Sequence, residues 1–342
     1  MRARDLGLCC GSLPPGRRNS LGDVPGVLVG HATILEGDIR TGVTAVLPHD
    51  GDLFQDKPLA AVQVLNGFGK SVGLVQVNEL GTVETPILLT NTFAVGACAS
   101  SLIRRAVRDD PEIGRRTATV NPVVLECNDG YLNDIQAMAV TEAHADVAVD
   151  AAAEEFELGA MGAGAGMSCF GLKGGIGSAS RWFRLDGETY HLGVLVLANF
   201  GRAGDLRLPD GRRVDPASVS TEAGSCIVVI ATDIPLECRQ LGRVARRAGA
   251  GLAWCGSFWG SRSGDIALAF TTANRVPHEA DVDFLEHRTL AEGRIDRLFQ
   301  AAAEATQEAV LDALATAETT VGRHGHRRLG LAEVLERFGQ PR

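Results

Sequence analysis

Residues 216–233 read PASVSTEAGSCIVVIATD. In this stretch a polar segment is followed, within two residues, by an apolar run rich in valine and isoleucine. A short apolar run of β-branched residues predicts a strand buried on both faces of a sheet. The dipeptide Gly224-Ser225 lies between the segment expected to be exposed and the strand expected to be buried. Its position distinguishes it, because Gly-Ser also occurs at 11–12, 177–178, 256–257 and 260–261.

A cut between Gly224 and Ser225 would leave a hydroxyl and a free α-amine on one residue. An α-amine has a reference pKa of about 7.7–8.0, so much of it is neutral near pH 7.5 and can act as a base. Ser225 would then supply both nucleophile and base. Gly224 tolerates the strained dihedral angles that expose its carbonyl group to attack. The local pattern alone, however, favours an ordinary turn before a strand.

The segments on either side of this strand predict a protein of strands followed by alternating strands and helices. The β-branched runs VLVGHATI, TAVLP, AAVQVLNG and VGLVQVN predict four early strands, and NPVVLECNDG predicts a buried strand that ends in a loop. Residues 159–180 are rich in glycine and are expected to form a loop, followed by a hairpin around Asp186-Gly187. Further predictions are a strand at 265–272 and helices at about 92–107, 134–156, 237–250 and 295–316. This order favours stacked sheets covered by helices.

Composition limits the classes of function. The chain has 342 residues, enough for one large α/β domain or two smaller ones, and a net charge of -9. That charge argues against a nucleic acid or an anionic membrane as partner, since both need a cationic patch. No apolar run reaches the ~18 residues of a membrane helix. Residues 1–20 are expected to be a disordered leader without a signal-peptide core, so we expect a cytoplasmic protein with reduced cysteines.

Motifs for other chemistries are missing. Gly69-Lys70-Ser71 ends like a phosphate-binding loop, but Val64 stands where that pattern requires glycine, and Lys173 is followed by Gly174 rather than by serine or threonine. No G-x-S-x-G nucleophile elbow and no HExxH or comparable metal pattern occurs. We therefore expect no nucleotide cofactor and no metal, and the serines remain as candidates.

From about residue 22 to residue 322 the sequence resembles the family of DmpA-type L-aminopeptidase/D-esterases and β-peptidyl aminopeptidases. The runs that carry the resemblance, in matching order and spacing, are DVPGVLVGHAT, NPVVLECNDGYLNDI, FGLKGGIGSASR, GVLVLANFG, GSCIVVIATDIPL and SRSGDIALAFTTAN. The resemblance implies a self-cleaving precursor with Gly224-Ser225 at the scissile position and Ser225 as the nucleophile of the mature enzyme.

The resemblance also implies a set of catalytic side chains around Ser225. Asn199 matches an asparagine that donates to the oxyanion, although by itself it also fits the cap of a strand end. Ser263 and Asp265 match a Ser-x-Glu pair near the nucleophile's amine, although the side chain of aspartate is one methylene shorter than that of glutamate. Without the resemblance, these two residues fit a turn before a strand. Asn128 stands where the family has a tyrosine, and Tyr131 in the same loop either substitutes for it or packs.

Glu126 is a candidate on two grounds. It lies on an apolar predicted strand, where a carboxylate without a cationic partner is costly, and a substrate ammonium group would supply that partner. By resemblance it matches a carboxylate that holds the ammonium group of the substrate. If Glu126 is structural instead, Asp129 is the next carboxylate to consider.

The fold implied by the resemblance is a four-layer αββα sandwich of the α/β (α+β) class, similar to that of ornithine acetyltransferase. It would be a single domain over residues 21–342, processed into chains 1–224 (21–224 without the leader) and 225–342. The implied function is a serine aminopeptidase or amidase that needs no cofactor and releases N-terminal residues from short peptides, amides or esters. The family also implies homo-oligomers, tetramers or larger, of processed heterodimers.

Two alternatives stay open. One is an amidase acting on oligomers of ω-amino acids, a type in which some relatives use threonine as the nucleophile. The other is a non-catalytic member that binds a ligand and is never cleaved. The preference for L-, D- or β-amino acids is also open, because loops that the sequence does not position form the walls of the pocket.

Overall fold

A computed structural model describes residues 1–216 and 224–338, so most of the polar segment before Gly224 lies outside the described residues. The strands are β1 (Leu28–Glu36), β2 (Ile39–Leu47), β3 (Asp56–Gly67), β4 (Ile87–Asn91), β5 (Val123–Cys127), β6 (Ser168–Cys169), β7 (Leu172–Lys173), β8 (Gly175–Leu185), β9 (Glu188–Asn199), β10 (Leu206–Arg207), β11 (Arg213–Val214), β12 (Gly224–Thr232), β13 (Ser263–Pro277), β14 (Thr320–Val321) and β15 (Arg327–Arg328). Two sheets dominate, with the strand orders β1-β2-β4-β5 and β3-β13-β12-β9-β8.

The helices flank these sheets. They are α1 (Leu74–Leu80), α2 (Val95–Asp109), α3 (Glu142–Asp150), α4 (Cys238–Arg246), α5 (Ala248–Trp254), α6 (Asp296–Thr316) and α7 (Leu331–Phe338). Short 3-10 helices lie at Ala3–Leu6, Leu21–Asp23, Thr92–Ala94, Ile135–Ala137, Gly162–Gly164, Glu292–Arg294 and Arg323–Gly325. In the described part of the chain, no helix combines the length and the apolar character needed to cross a bilayer.

The two sheets stack face to face, and β12 shows how their side chains divide between two cores. Ile227 and Val229 point into the space between the sheets, where they meet apolar residues of the first sheet. Cys226 and Val228 point to the opposite side, into a core shared with helices α4, α5 and α6. Because successive residues of a strand face opposite sides, an apolar run of this kind belongs to a strand covered on both faces. The predicted buried strand is confirmed.

Helices cover the outer face of each sheet. Helices α2 and α3 pack against β1, β2 and β5, and α6 lies across β8 and β9. The contact between α6 and β8 is so close that a Cβ atom at Gly177 would lie 1.9 Å from the carbonyl oxygen of Ala309, which explains a glycine inside this strand. The order helices, sheet, sheet, helices confirms the predicted αββα sandwich.

Three local predictions are wrong. Residues 72–78 were predicted as a strand but enter helix α1, where Val77 is buried while Val75 is 87% exposed, a difference impossible for residues on the same face of one strand. The helix predicted over 134–156 is confined to α3, because Ala153 hydrogen-bonds the backbone of Val29 instead. The glycine-rich loop predicted to run to residue 180 ends at Gly175, where β8 begins.

The N-terminal residues are a packed part of the fold rather than the predicted disordered leader. Leu8 is buried in the core beneath α6. The Arg2 guanidinium donates through Nε to Asp312 at 2.8 Å, and Arg4 donates through Nη2 to Glu308 at 2.8 Å. Two basic residues of a segment that resembles a solvated leader, Arg2 and Arg4, are thus partners of buried carboxylates on α6, about 300 residues away.

Candidate active site

Ser225 lies at the start of the central strand of the second sheet. The ladder places it opposite Asn199 in antiparallel β9 and beside Gly264 in parallel β13. Its side chain is almost fully buried, and its Oγ accepts a hydrogen bond from the Gly264 amide at 3.2 Å. The hydroxyl is therefore held at the end of a rigid strand, which is the geometry that an oriented nucleophile needs.

Gly224 occupies a conformation that only glycine adopts easily. Its φ angle is +128°, and a Cβ atom added to it would lie 2.0 Å from the Asn199 carbonyl oxygen. The same Cβ position is 3.1 Å from the Asn199 Nδ2 atom, so the side-chain amide of Asn199 is next to the peptide unit before Ser225. The backbone before Ser225 therefore has a conformation that a residue with a side chain could not adopt without strain, and it is adjacent to a hydrogen-bond donor.

The Asn199 amide is oriented by two hydrogen bonds. Its Oδ1 accepts from the Ser168 backbone amide at 2.8 Å, and its Nδ2 donates to the Asn128 carbonyl oxygen at 2.9 Å. An amide nitrogen carries two hydrogens, so Nδ2 keeps one for a second acceptor. A donor fixed in this way beside Gly224 is a candidate oxyanion donor.

Ser263 and Asp265 lie under the site, on the strand next to Ser225. The register pairs Ser263 with Gly224 and Asp265 with Cys226, and both side chains are buried. Ser263 Oγ has no hydrogen-bond partner among residues 1–216 and 224–338. A buried hydroxyl without a partner is costly, and an α-amine formed at Ser225 would provide one.

Glu126 reaches the site from the first sheet. It lies near the end of β5 and is buried, and its Oε1 accepts from the Lys70 backbone amide at 2.9 Å while its Oε2 accepts from the Thr92 hydroxyl. The next residue, Cys127, donates through Sγ to the Ser225 carbonyl oxygen at 3.2 Å. This contact joins the two sheets, and Glu126 and Ser225 line the same cavity.

That cavity has a volume of about 620 Å³, the size range of sites for small ligands. The residues that line it are Phe68, Lys70, Thr92, Glu126, Asn128, Tyr131, Ser168, Gly171, Asn199, Gly201, Gly224, Ser225, Arg262 and Arg328. Six of the eight residues proposed from the sequence therefore line one cavity. The other two, Ser263 and Asp265, lie behind Ser225 in the sheet.

Asn128 and Tyr131 both line the cavity, and they differ in their contacts. The Asn128 Oδ1 atom accepts from the Gly130 amide at 2.9 Å, which closes a turn and leaves its Nδ2 as the donor. The Tyr131 ring stacks on His326 with ring centroids 4.7 Å apart, and the Arg328 guanidinium lies 3.7 Å from its centroid. Tyr131 thus packs into the wall, and both candidates remain within reach of a ligand.

Asp129, the alternative carboxylate, and Ser257 do not line the cavity. Asp129 is fully buried and accepts hydrogen bonds from Thr41 Oγ1 at 2.6 Å and Asn133 Nδ2 at 3.0 Å. Burial raises the pKa of Asp129 to about 7, against the lowering effect of its hydrogen bonds. Ser257, in another Gly-Ser dipeptide, lies in the loop after α5 and does not line the cavity either.

Five polar residues of the cavity were missed in the sequence: Lys70, Thr92, Ser168, Arg262 and Arg328. Lys70 was considered only as part of a phosphate loop, although its backbone amide is what contacts Glu126. Thr92 directly follows Asn91, whose side chain caps the turn that leads into α2. An asparagine at such a position is a signal for the start of a helix, and it indicates that this loop is ordered. Nothing in the sequence around Arg262 or Arg328 indicated a site.

The chain is similar to known peptidases in sequence and in fold. A model of peptidase family S58 matches residues 19–328. The beta-peptidyl aminopeptidase BapA of Sphingosinicella microcystinivorans is 36% identical over 97% of this chain and 90% of that protein. The crystal structure of the PH0078 protein from Pyrococcus horikoshii OT3 has 45% sequence identity and a TM-score of 0.93, covering 99% of this chain and 100% of that chain. The L-aminopeptidase D-Ala-esterase/amidase from Ochrobactrum anthropi, described as a prototype of the serine aminopeptidases with a variant of the Ntn-hydrolase fold, has 35% identity and a TM-score of 0.89 over 99% of both chains.

Proposed function

The chain belongs to peptidase family S58 and is a serine aminopeptidase of the N-terminal-nucleophile type, and from that premise we propose that it cleaves itself between Gly224 and Ser225. The mature enzyme then releases N-terminal residues from short peptides, amides or esters. The observation that carries this proposal is the position of Ser225, which follows Gly224 in a conformation suited to glycine alone, neighbours the oriented Asn199 amide, and shares its cavity with the buried Glu126.

Self-cleavage is an N-to-O acyl shift followed by hydrolysis. The Ser225 Oγ attacks the Gly224 carbonyl carbon, and the Asn199 Nδ2 group stabilises the oxyanion. The C–N bond then breaks, and the proton lost by Oγ ends on the Ser225 nitrogen, which leaves an ester between Gly224 and Oγ. Water hydrolyses the ester, releasing a Gly224 carboxylate and a free Ser225 with its α-amine beside Ser263.

Turnover repeats the same chemistry on a substrate. Glu126 binds the substrate's ammonium group, which places the first carbonyl carbon near Ser225. The Ser225 α-amine accepts the hydroxyl proton as Oγ attacks and returns it to the leaving amine. Asn199 and the side-chain Nδ2 of Asn128 stabilise the oxyanion, and water then releases the acyl residue from Oγ.

The relatives named above differ in substrate, one being a beta-peptidyl aminopeptidase and another an L-aminopeptidase and D-Ala-esterase/amidase. We therefore propose the shared chemistry, hydrolysis of the bond after a free N-terminal residue, and leave the residue type to measurement. A panel of p-nitroanilides and amides of L-, D- and β3-amino acids will rank these classes by kcat/KM.

The test combines this panel with variants of Ser225 and Ser257, two of the serines that follow glycine. Ser225→Ala should remain one intact chain and hydrolyse none of the substrates, because the nucleophile is gone. Ser225→Cys should still cleave itself, more slowly, because it keeps a nucleophile at the same position. Ser257→Ala is the matched control and should process and turn over like the parent. Processing of the Ser225→Ala chain would mean that another protease cuts it, which would contradict self-cleavage.

A further inference from the structure

Arg328 is a buried cation in the wall of the active-site cavity. Its residue is only 9% exposed, and no hydrogen bond or ion pair joins its side chain to any residue within 1–216 or 224–338. The Nε atom is fully enclosed without an acceptor, and the guanidinium lies over the Tyr131 ring. The ring attracts the cation but offers no acceptor in the plane of its N–H groups.

The segment that carries Arg328 is tied to the loop that carries Asn128. Arg323 donates through Nε to the Gly130 carbonyl oxygen at 2.8 Å, and the His326 ring meets the Tyr131 carbonyl oxygen at 2.8 Å. A Cβ atom at Gly322 would lie 2.0 Å from the Leu132 carbonyl oxygen, so the two segments are in direct contact. Arg328 is therefore held in the same rigid wall as one of the proposed oxyanion donors.

A buried guanidinium without a carboxylate is costly, and burial lowers the pKa of Arg328 from its ordinary value. In the same cavity, Glu126 is a buried carboxylate without a cation. One buried charge of each sign, each lacking a protein counter-ion in the described residues, fits a ligand that carries both an ammonium and a carboxylate group. The planar fork of arginine suits bidentate binding of a carboxylate.

We propose that Arg328, stacked on Tyr131 in the active-site cavity, binds a carboxylate group of the substrate, and that the enzyme prefers short peptides bearing one over their neutral counterparts. This inference rests on the proposed function and adds a determinant of substrate class. The carboxylate has two possible sources, the free C-terminus of a dipeptide or an acidic side chain of the second residue. Both present the same chemistry to a guanidinium.

The test uses two substrate pairs with the same first residue, X, chosen from the panel. The dipeptide X-Gly is compared with X-Gly-amide, which reports on the C-terminal carboxylate. X-Glu-amide is compared with X-Gln-amide, which reports on an acidic side chain. The parent should favour the charged member of at least one pair. Arg328→Gln should lower kcat/KM for that member by roughly ten- to a hundredfold and change its neutral partner by less than about twofold.

Arg327→Gln is the matched control, since Arg327 is the preceding residue of β15 and its guanidinium pairs with Glu333 at 3.6 Å. This control variant should leave kcat/KM unchanged for all four substrates. Arg328→Lys keeps the charge without the planar fork of the guanidinium, so it should lower kcat/KM several-fold for the charged substrate alone. This variant provides a second measurement if the glutamine variant does not fold.

Equal rates of the parent on both members of both pairs would overturn the assignment, as would an equal loss on charged and neutral substrates in the Arg328 variants. Either result would leave the aminopeptidase proposal intact. A parent that cleaves none of the four substrates would instead contradict the proposed function, and the carboxylate assignment would fall with it.

Discussion

At the scale of single residues, we expect Glu126 to recognise the free N-terminus of the substrate. Both of its hydrogen-bond donors, the Lys70 amide and the Thr92 hydroxyl, are neutral, so its buried charge needs a cation from the substrate. A charge-assisted hydrogen bond of this kind is worth about 1.5–3 kcal/mol. Glu126→Gln should therefore lower kcat/KM on free-amine substrates by roughly ten- to a hundredfold, and much less on N-acetylated analogues.

Self-processing should survive in Glu126→Gln, because the precursor presents an amide rather than an ammonium group at Gly224. Asp129→Asn is the control, because Asp129 is also buried but does not line the cavity. It should leave the ratio of rates on free and acetylated substrates unchanged. Equal losses on both substrate classes in Glu126→Gln would show that this carboxylate is structural.

At the scale of secondary-structure elements, α6 depends on the N-terminal segment. Asp312 is buried on α6, and burial raises its pKa while the Arg2 guanidinium lowers it. Removing one partner of a buried ion pair costs about 3–5 kcal/mol, because the remaining charge is left uncompensated. Arg2→Met should therefore lower the free energy of unfolding by about 3 kcal/mol, measured by urea denaturation.

The double variant Arg2→Met/Asp312→Asn should recover part of that loss, because asparagine removes the charge and keeps an acceptor for the Ala3 amide. The rest of the loss remains, because the Arg18, Asn19 and Ser178 carbonyl oxygens also lose the Arg2 guanidinium as a donor. Arg17→Met, an exposed residue of the same segment, should be close to neutral. A double variant as unstable as Arg2→Met alone would show that an unpaired Asp312 is not the cause.

The same elements show what the sequence could predict. The buried strand β12 was predictable, because a β-branched run covered on both faces has a local signature. The α1 segment has similar residues but no alternating burial, and its pattern was misread as a strand. Most site residues came from family motifs, and only Glu126 was also indicated by its local pattern, a carboxylate on an apolar strand. Arg2 and Arg328 were missed because their significance depends on contacts with residues far away in the chain.

At the scale of the whole molecule, cleavage before Ser225 would cut the chain within a continuous fold. β12 would begin the smaller fragment, yet one of its sheet neighbours, β9, belongs to the larger fragment, and α6 of the smaller fragment covers β8 and β9. The fragments should therefore elute together in size-exclusion chromatography without denaturant and separate only when unfolded. Separate elution under native conditions would contradict this. Elution at four times 36.0 kDa or more would agree with the predicted oligomers.

N-terminal sequencing of the purified protein tests self-processing most directly. The Gly224–Ser225 cut should yield fragments of about 23.6 and about 12.4 kDa, in proportion to their lengths within the 36.0 kDa chain. The smaller fragment should begin Ser-Cys-Ile-Val, and the Ser225→Ala chain run beside it should stay whole. A smaller fragment beginning Ser-Phe-Trp would move the nucleophile to Ser257, and a parent chain that stays at 342 residues would contradict self-cleavage altogether.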